Sequence, residues 1–318
     1  MFLDSIRITG FAVAQVFILG AIGYFLVKKN ILGEACLDAI GRLTIDVALP
    51  LLIFCQLIKD FSFVLYPNWW IFPVLSIVIT LAGVVVGTLL SVFISGEQHK
   101  LQFVNLVAFQ NSGYLPLALI AALLTKPEAD IVLIYLFLFL LGFNLVMFSY
   151  GVYMLTFNKT GKFSWMSLFS PPVAATIISL IMVFFGLNKY VPDVVYTPLK
   201  MVGDCSLPLA IIVVGGSLAA IKLKFINLKA NALIILAKLI ILPSIGLLLI
   251  LKFKINPLIG LLILIELAVP SAVTLSAIVR TYKKEDILIS QGIFFSHLAS
   301  VITLPVFLSL YFMLAMIR

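Results

Sequence analysis

The sequence predicts an all-α polytopic membrane protein: ten transmembrane helices in two inverted five-helix repeats, with interrupted helices at positions four and nine. Three observations carry this reading. Of the 318 residues, 63% are hydrophobic and 11% charged, against roughly 25% charged in a soluble domain. The apolar residues fall into ten runs, each near the roughly 20 residues a helix needs to cross the hydrocarbon core. A pattern at the start of the second run returns at the start of the seventh.

Span one covers 6–27. Its apolar stretch from Ile8 to Val27 is a full span in length and stops at Lys28-Lys29, which argues against a cleavable leader. Span two, 39–58, carries Arg42 and Asp46 near its start. Span three, 69–94, closes at the turn Ser95-Gly96-Glu97. Span four, 102–124, holds Asn105 and a polar cluster at Asn111, and closes at Lys126-Pro127-Glu128. Span five, 130–156, holds Asn144 and closes at Asn158-Lys159-Thr160-Gly161. Span six is 169–187. Span seven, 194–219, carries Lys200 and Asp204 near its start. Span eight, 229–251, has Lys238 near its middle. Span nine, 257–279, contains Glu266 and Pro270, and span ten, 286–316, contains His297. The loops are too short for a soluble domain.

The formal net charge of +8 comes from lysines and arginines in short loops, where they set orientation. There is no basic face with interleaved aromatics for a nucleic acid. Cys36, Cys55 and Cys205 have neither metal-ligand spacing nor a disulfide pattern. With His99 and His297 the only histidines, a histidine-rich metal site is excluded. Eleven basic loop residues fall on one side, among them Lys28, Lys29, Lys100, Lys159 and Lys283. Seven, among them Arg7, Lys59 and Lys126, fall on the other. The richer side is expected to be cytoplasmic, with both termini outside.

Arg42-Leu-Thr-Ile-Asp46-Val-Ala-Leu49-Pro50-Leu51 and Lys200-Met-Val-Gly-Asp204-Cys-Ser-Leu207-Pro208-Leu209 align as basic-x-x-x-Asp-x-x-Leu-Pro-Leu. Five spans separate them. An odd number of crossings inverts the second copy, the arrangement of many secondary transporters. The expected halves are residues 1–158 and 159–318.

Span four has Gln110-Asn111-Ser112-Gly113-Tyr114-Leu115-Pro116-Leu117 at its middle. Proline removes a backbone donor and glycine lowers helix propensity. Span nine has Glu266-Leu-Ala-Val-Pro270-Ser271-Ala272. The two are five spans apart and therefore repeat mates, and paired interruptions point to a transporter's binding site. Irregular backbone cannot face lipid and must line a cavity or the interior. Helix N-termini there favour an anion; C-terminal carbonyls favour a cation. Pro50, Pro73, Pro243 and Pro305 are read as ordinary kinks.

Charges within the membrane are costly and mark function. Arg42–Asp46 and Lys200–Asp204 are spaced i, i+4, which predicts two local ion pairs or a gate. Lys238 and Glu266 match in depth and oppose in sign, so a direct pair across spans eight and nine is expected. Asp46, Asp204, Glu266, Lys238, Gln110 and Asn105 are the candidates for ion or proton coupling or gating.

The runs Asn111-Ser-Gly-Tyr-Leu-Pro116-Leu, Leu49-Pro50-Leu-Leu-Ile-Phe54, Pro270-Ser-Ala-Val and Val279-Arg280-x-Tyr282 resemble the auxin efflux carrier family, which includes the plant PIN-formed and PIN-likes carriers. The resemblance extends over the whole chain and implies kinship with bile-acid–sodium symporters: two inverted five-helix repeats whose broken spans four and nine cross at the membrane centre, one bundle moving against a scaffold. It implies organic-anion substrates such as indole-3-acetate, malate or malonate. Carried over, Asn111, Gly113 and Pro116 with Pro270 and Ser271 line the crossover; Ser112, within the same cluster, and Asn144, a polar residue inside span five, complete the candidate substrate-binding set. The long central loop of the large plant carriers is missing, so regulation by that loop is not expected.

The reading is therefore a secondary carrier of small organic anions working by alternating access in the cell membrane. A sodium-coupled symporter of the bile-acid class is the rival, with Na+ or H+ as the coupling ion. A membrane-embedded enzyme or receptor is the rival from another class; its paired-aspartate version needs Asp46 and Asp204 together, and they are expected at opposite membrane ends. No catalytic residue, resident metal, cofactor or nucleic acid is expected. The bilayer and a small organic anion are the partners, and a homodimer is left open.

Overall fold

The computed structural model describes residues 2–156, 169–221, 226–281 and 287–315. Among them the regular structure is helical: α1 (Phe2–Lys28), α2 (Glu34–Asp60), α3 (Ile71–Ser91), α4 (Glu97–Ala108), α5 (Tyr114–Leu123), α6 (Glu128–Leu155), α7 (Pro171–Phe184), α8 (Asp193–Ala220), α9 (Leu228–Lys252), α10 (Pro257–Ala268), α11 (Thr274–Thr281) and α12 (Ile287–Ala315). Seven of these, α1, α2, α3, α6, α8, α9 and α12, are long and apolar enough to cross a membrane. They fall on expected spans one, two, three, five, seven, eight and ten.

The other three expected spans look different. Spans four and nine resolve as the pairs α4/α5 and α10/α11, with non-helical segments at 109–113 and 269–273. Span six is the 14-residue α7, about 21 Å long at 1.5 Å per residue, short of a hydrocarbon core of roughly 30 Å. The expected boundary between halves, residues 158/159, lies outside the described residues. So do loop residues Lys159, Lys162, Lys222, Lys224, Lys283 and Lys284, and Tyr282.

Three prolines loosen their helices in the same way. Pro50 follows a π-helical turn at Thr44–Ala48, and Pro243 follows one at Leu236–Ile241. α8 is irregular at Cys205, just before Pro208. In each case the proline has no N–H for the carbonyl four residues earlier and its ring crowds that carbonyl, so the turn opens. The kink expected at Pro305 does not interrupt α12.

The widened turn changes one expectation. Lys200 donates to both Asp204 oxygens at 2.7 and 2.6 Å. Arg42 makes no such ion pair with Asp46, because the π turn between them breaks the i, i+4 alignment. The Lys200–Asp204 side chains are 42% and 52% exposed, so their pair contributes at most about 1 kcal/mol.

Packing follows the bilayer's logic. On α3 the outward stripe is Val74, Val78, Leu81, Val85 and Leu89, while Ser76, Thr80, Gly83 and Gly87 face inward. Lipid rewards neither helix contact nor apolar burial as such, so close approach through small residues holds helices together. α1 and α8 make the most extensive contact, α2 packs on α7 and α8, and α3 packs on α4 and α6. α10 is buried without a break from Gly260 to Ala268, which places the interrupted helices in the interior.

At the α1–α8 crossing a Cβ on Gly215 would stand 1.8 Å from the Gly20 carbonyl oxygen, backbone that cannot give way. Gly215→Val is therefore expected to destabilise by about 3 kcal/mol or more. Gly10, with nothing within 4 Å, should accept alanine silently. Thermal melts in detergent check both; equal melting temperatures would refute this packing.

Candidate functional site

The two interruptions meet. The Asn111 backbone N–H donates to the Pro270 carbonyl at 2.8 Å, and the Ala272 N–H donates to the Phe109 carbonyl at 2.9 Å. These bonds form an isolated antiparallel bridge between Gln110 and Ser271. The sequence requires some such device. Pro116 and Pro270 and the run Asn111-Ser112-Gly113 remove helical partners, and a bare backbone group in a membrane interior costs several kcal/mol. Ser271 adds a further tie, its hydroxyl donating to the Leu106 carbonyl at 2.6 Å. Its own N–H donates to Ser296 of α12 at 3.3 Å.

A buried polar chain crosses this junction. Ser112 Oγ donates to Glu266 Oε2 at 2.6 Å, and Gln110 Nε2 donates to the same oxygen at 3.3 Å. Lys238 Nζ donates to Gln110 Oε1 at 3.5 Å. Glu266 is 0% and Lys238 1% exposed. The direct Lys238–Glu266 pair expected from the sequence is not formed. The Gln110 amide stands between the charges, accepting from the cation and donating to the anion. The amide thus links the two groups, so that neither is left without a polar partner in a low-dielectric interior, where that would be costly.

On the other flank, Asn111 Nδ2 lies 3.4 Å from His297 Nε2. His297 Nδ1 is 2.8 Å from the Ile293 carbonyl, an acceptor only. In a neutral ring the proton is therefore assigned to Nδ1, and Nε2 accepts from the Asn111 amide. His297 thus holds the amide in one orientation.

Beside the junction is a cavity of about 100 Å³. Gln110, Asn111, Ser112, Gly113 and Tyr114 form one wall, at the start of α5. Ala272 and Thr274, at the start of α11, form another; Asn144, Phe143 and Met147 come from α6, and Ser170 and Pro172 from the start of α7. Three helix N-termini, those of α5, α7 and α11, border the space, and such ends favour negative charge. Among the described residues the lining contains no lysine or arginine.

The sequence-predicted residues therefore separate. Gln110, Asn111, Ser112, Gly113 and Asn144 border the cavity. Pro116 is buried within α5. Pro270 and Ser271 lie behind the wall and join the two interruptions. Glu266 and Lys238 belong to the polar chain. Asn105 is apart from it: its amide donates to Leu101 on its own helix at 2.8 Å. Asp46 and Asp204 are exposed, and Asp204 is engaged by Lys200, so they form no buried dyad. Nor do they sit at opposite ends: Gly203 abuts the backbone of Leu51 and Leu52, one to two turns along α2 from Asp46.

Sequence reasoning passed over Tyr114, Ser170 and Thr274 as lining residues, and His297 as a partner of Asn111. The Tyr114 and Ser170 hydroxyls are buried without partners. Ser170 had a legible signal, a serine before Pro171-Pro172 that marks a helix start. His297 had none, because its contact spans 186 residues.

A family model described as "Membrane transport protein" matches residues 10–164 and 155–308. The Arabidopsis thaliana protein PIN-LIKES 6 is 28% identical over 124 residues, covering 38% of this chain and 29% of that protein. The chain thus matches somewhat under a third of the length of this curated relative.

Proposed function

This chain belongs to the membrane transport protein family, the family of the auxin efflux carriers, and from that premise we propose that it is a secondary carrier of small organic anions whose binding site is the cavity beside the Gln110–Ser271 bridge. It is an integral membrane protein, and its family is one of transporters rather than enzymes. The observation that carries the proposal is the cavity wall. Three helix N-termini, the Asn111 and Asn144 amides and the Tyr114 and Ser170 hydroxyls, unpartnered among the described residues, converge on one small space. Donors without a partner in a buried wall suit a carboxylate. Among the described residues the lining offers no lysine or arginine, which favours a single carboxylate over two, since a second charge would meet no counter-ion there.

In this reading α4/α5 and α10/α11 each count as one interrupted span, which makes ten. Residues 1–158 and 159–318 are inverted halves, and the helices of the junction rock against α1, α2, α7 and α8 to alternate access. The openings before Pro50 and Pro208 support the repeat. The positive-inside count puts both termini on the outer face of the cell membrane. A homodimer is compatible with this reading.

The test is a thermal-shift screen of organic acids on the purified chain, repeated with and without sodium and across pH, followed by proteoliposome flux of the hits. Monocarboxylates are expected to stabilise by a few degrees and to move. A screen in which only steroids or inorganic cations bind and move would refute the substrate class.

A further inference from the structure

The surroundings of Glu266 have the features of a monovalent cation site. Glu266 Oε1 is buried and, among the described residues, has no hydrogen-bond partner. α10 ends two residues further on, at Ala268, and α4 ends at Ala108, just before Gln110. The negative ends of two helix dipoles therefore lie here. Pro270, four residues after Glu266, has no N–H to close on the Glu266 carbonyl. The nearby donors are hard oxygens: the carboxylate, the Ser112 hydroxyl and the Gln110 amide oxygen. One carboxylate calls for one positive charge, and among the described residues no group of three or more His, Cys, Asp or Glu could hold a metal.

We propose that Lys238 is the tethered counter-charge of this site: its ammonium, held from α9 against Gln110 Oε1, supplies across the Gln110 amide the single positive charge that a free monovalent cation would otherwise bring to Glu266. The Glu266–Gln110–Lys238 network carries one positive and one negative formal charge with Lys238 in place. An added ion would leave a net positive charge in a low-dielectric interior, which is strongly disfavoured. Removing the ammonium reverses the balance. It leaves a net negative charge, frees Gln110 Oε1 and opens a space lined by oxygens. The wild-type protein then carries no metal ion in its cycle, and each turnover moves only the charge of the substrate. This deepens the carrier reading and rests on it only for the statement about turnover; cation binding is tested without any substrate.

The experiment is a thermal melt of the full chain in nanodiscs, in choline, sodium or lithium chloride at equal ionic strength. Wild type and Lys238→Arg are expected to melt alike in all three. Lys238→Ala should melt lower in choline and rise saturably, by roughly 5 °C, in sodium or lithium. Lys238→Ala/Glu266→Gln should lose that response. Saturable stabilisation of wild type or Lys238→Arg by sodium would overturn the proposal. So would a folded Lys238→Ala indifferent to both ions or rescued only by acid. In proteoliposomes, sodium should stimulate flux of the screened acid by Lys238→Ala and leave wild type unchanged. A sodium response in the melts with no flux of any acid by either protein would refute the carrier reading and leave the cation site standing.

Discussion

Replacing Glu266 by leucine is expected to destabilise the protein by about 3–5 kcal/mol, the cost of stranding one member of a buried charge pair. Among the described residues Lys238 has no carboxylate neighbour other than Glu266. Its ammonium is 1% exposed and its partner is the Gln110 oxygen at 3.5 Å. Without Glu266, that amide loses the acceptor for its own N–H, and Ser112 loses its 2.6 Å bond. Three polar groups are orphaned by one substitution. The double variant Lys238→Met/Glu266→Leu removes both charges and should recover most of the loss, since apolar replacement of a buried pair is often neutral or better. The coupling energy from melts of the wild type, both single variants and the double variant measures this directly. Simple additivity would mean that the chain through Gln110 carries no energy.

That network also shows where sequence reading stops. The bilayer class was legible because composition and run length are local properties. The interruptions were legible because proline and glycine act on their own turn. Lys238 and Glu266 were legible as a matched pair in depth and sign. Their geometry was not, because a long-range bridge decides which side chain stands between them. Gln110 and Ser271 are separated by 161 positions, and nothing in the local pattern says that their backbones touch. The Arg42–Asp46 pair failed for a similar reason. The i, i+4 rule assumes a regular helix, and Pro50 widens the turn in which the rule was applied. Span six was legible as an apolar run, but its helical length was not, since 14 residues of helix satisfy the same composition as 20.

The second large effect is expected at Asn111. Asn111→Asp is nearly isosteric, and the backbone bond to Pro270 at 2.8 Å does not involve the side chain, so the bridge should survive. The chemistry of the wall does not. A carboxylate at this position faces the substrate's carboxylate across a cavity of about 100 Å³. Two like charges some 5 Å apart, at an effective dielectric near 20, repel by about 3 kcal/mol, which is more than 100-fold in affinity. The variant also loses the N–H that His297 Nε2 accepts at 3.4 Å, so two acceptors oppose each other. Asn111→Ala removes the donor without adding charge and should cost about tenfold, the scale of one hydrogen bond to a charged group. The ordering wild type, then alanine, then aspartate is the signature of an anion at this wall. Titrations of the stabilising acid, read by thermal shift on variants that melt normally alone, test it. Undiminished binding in Asn111→Asp would move the anion to another site.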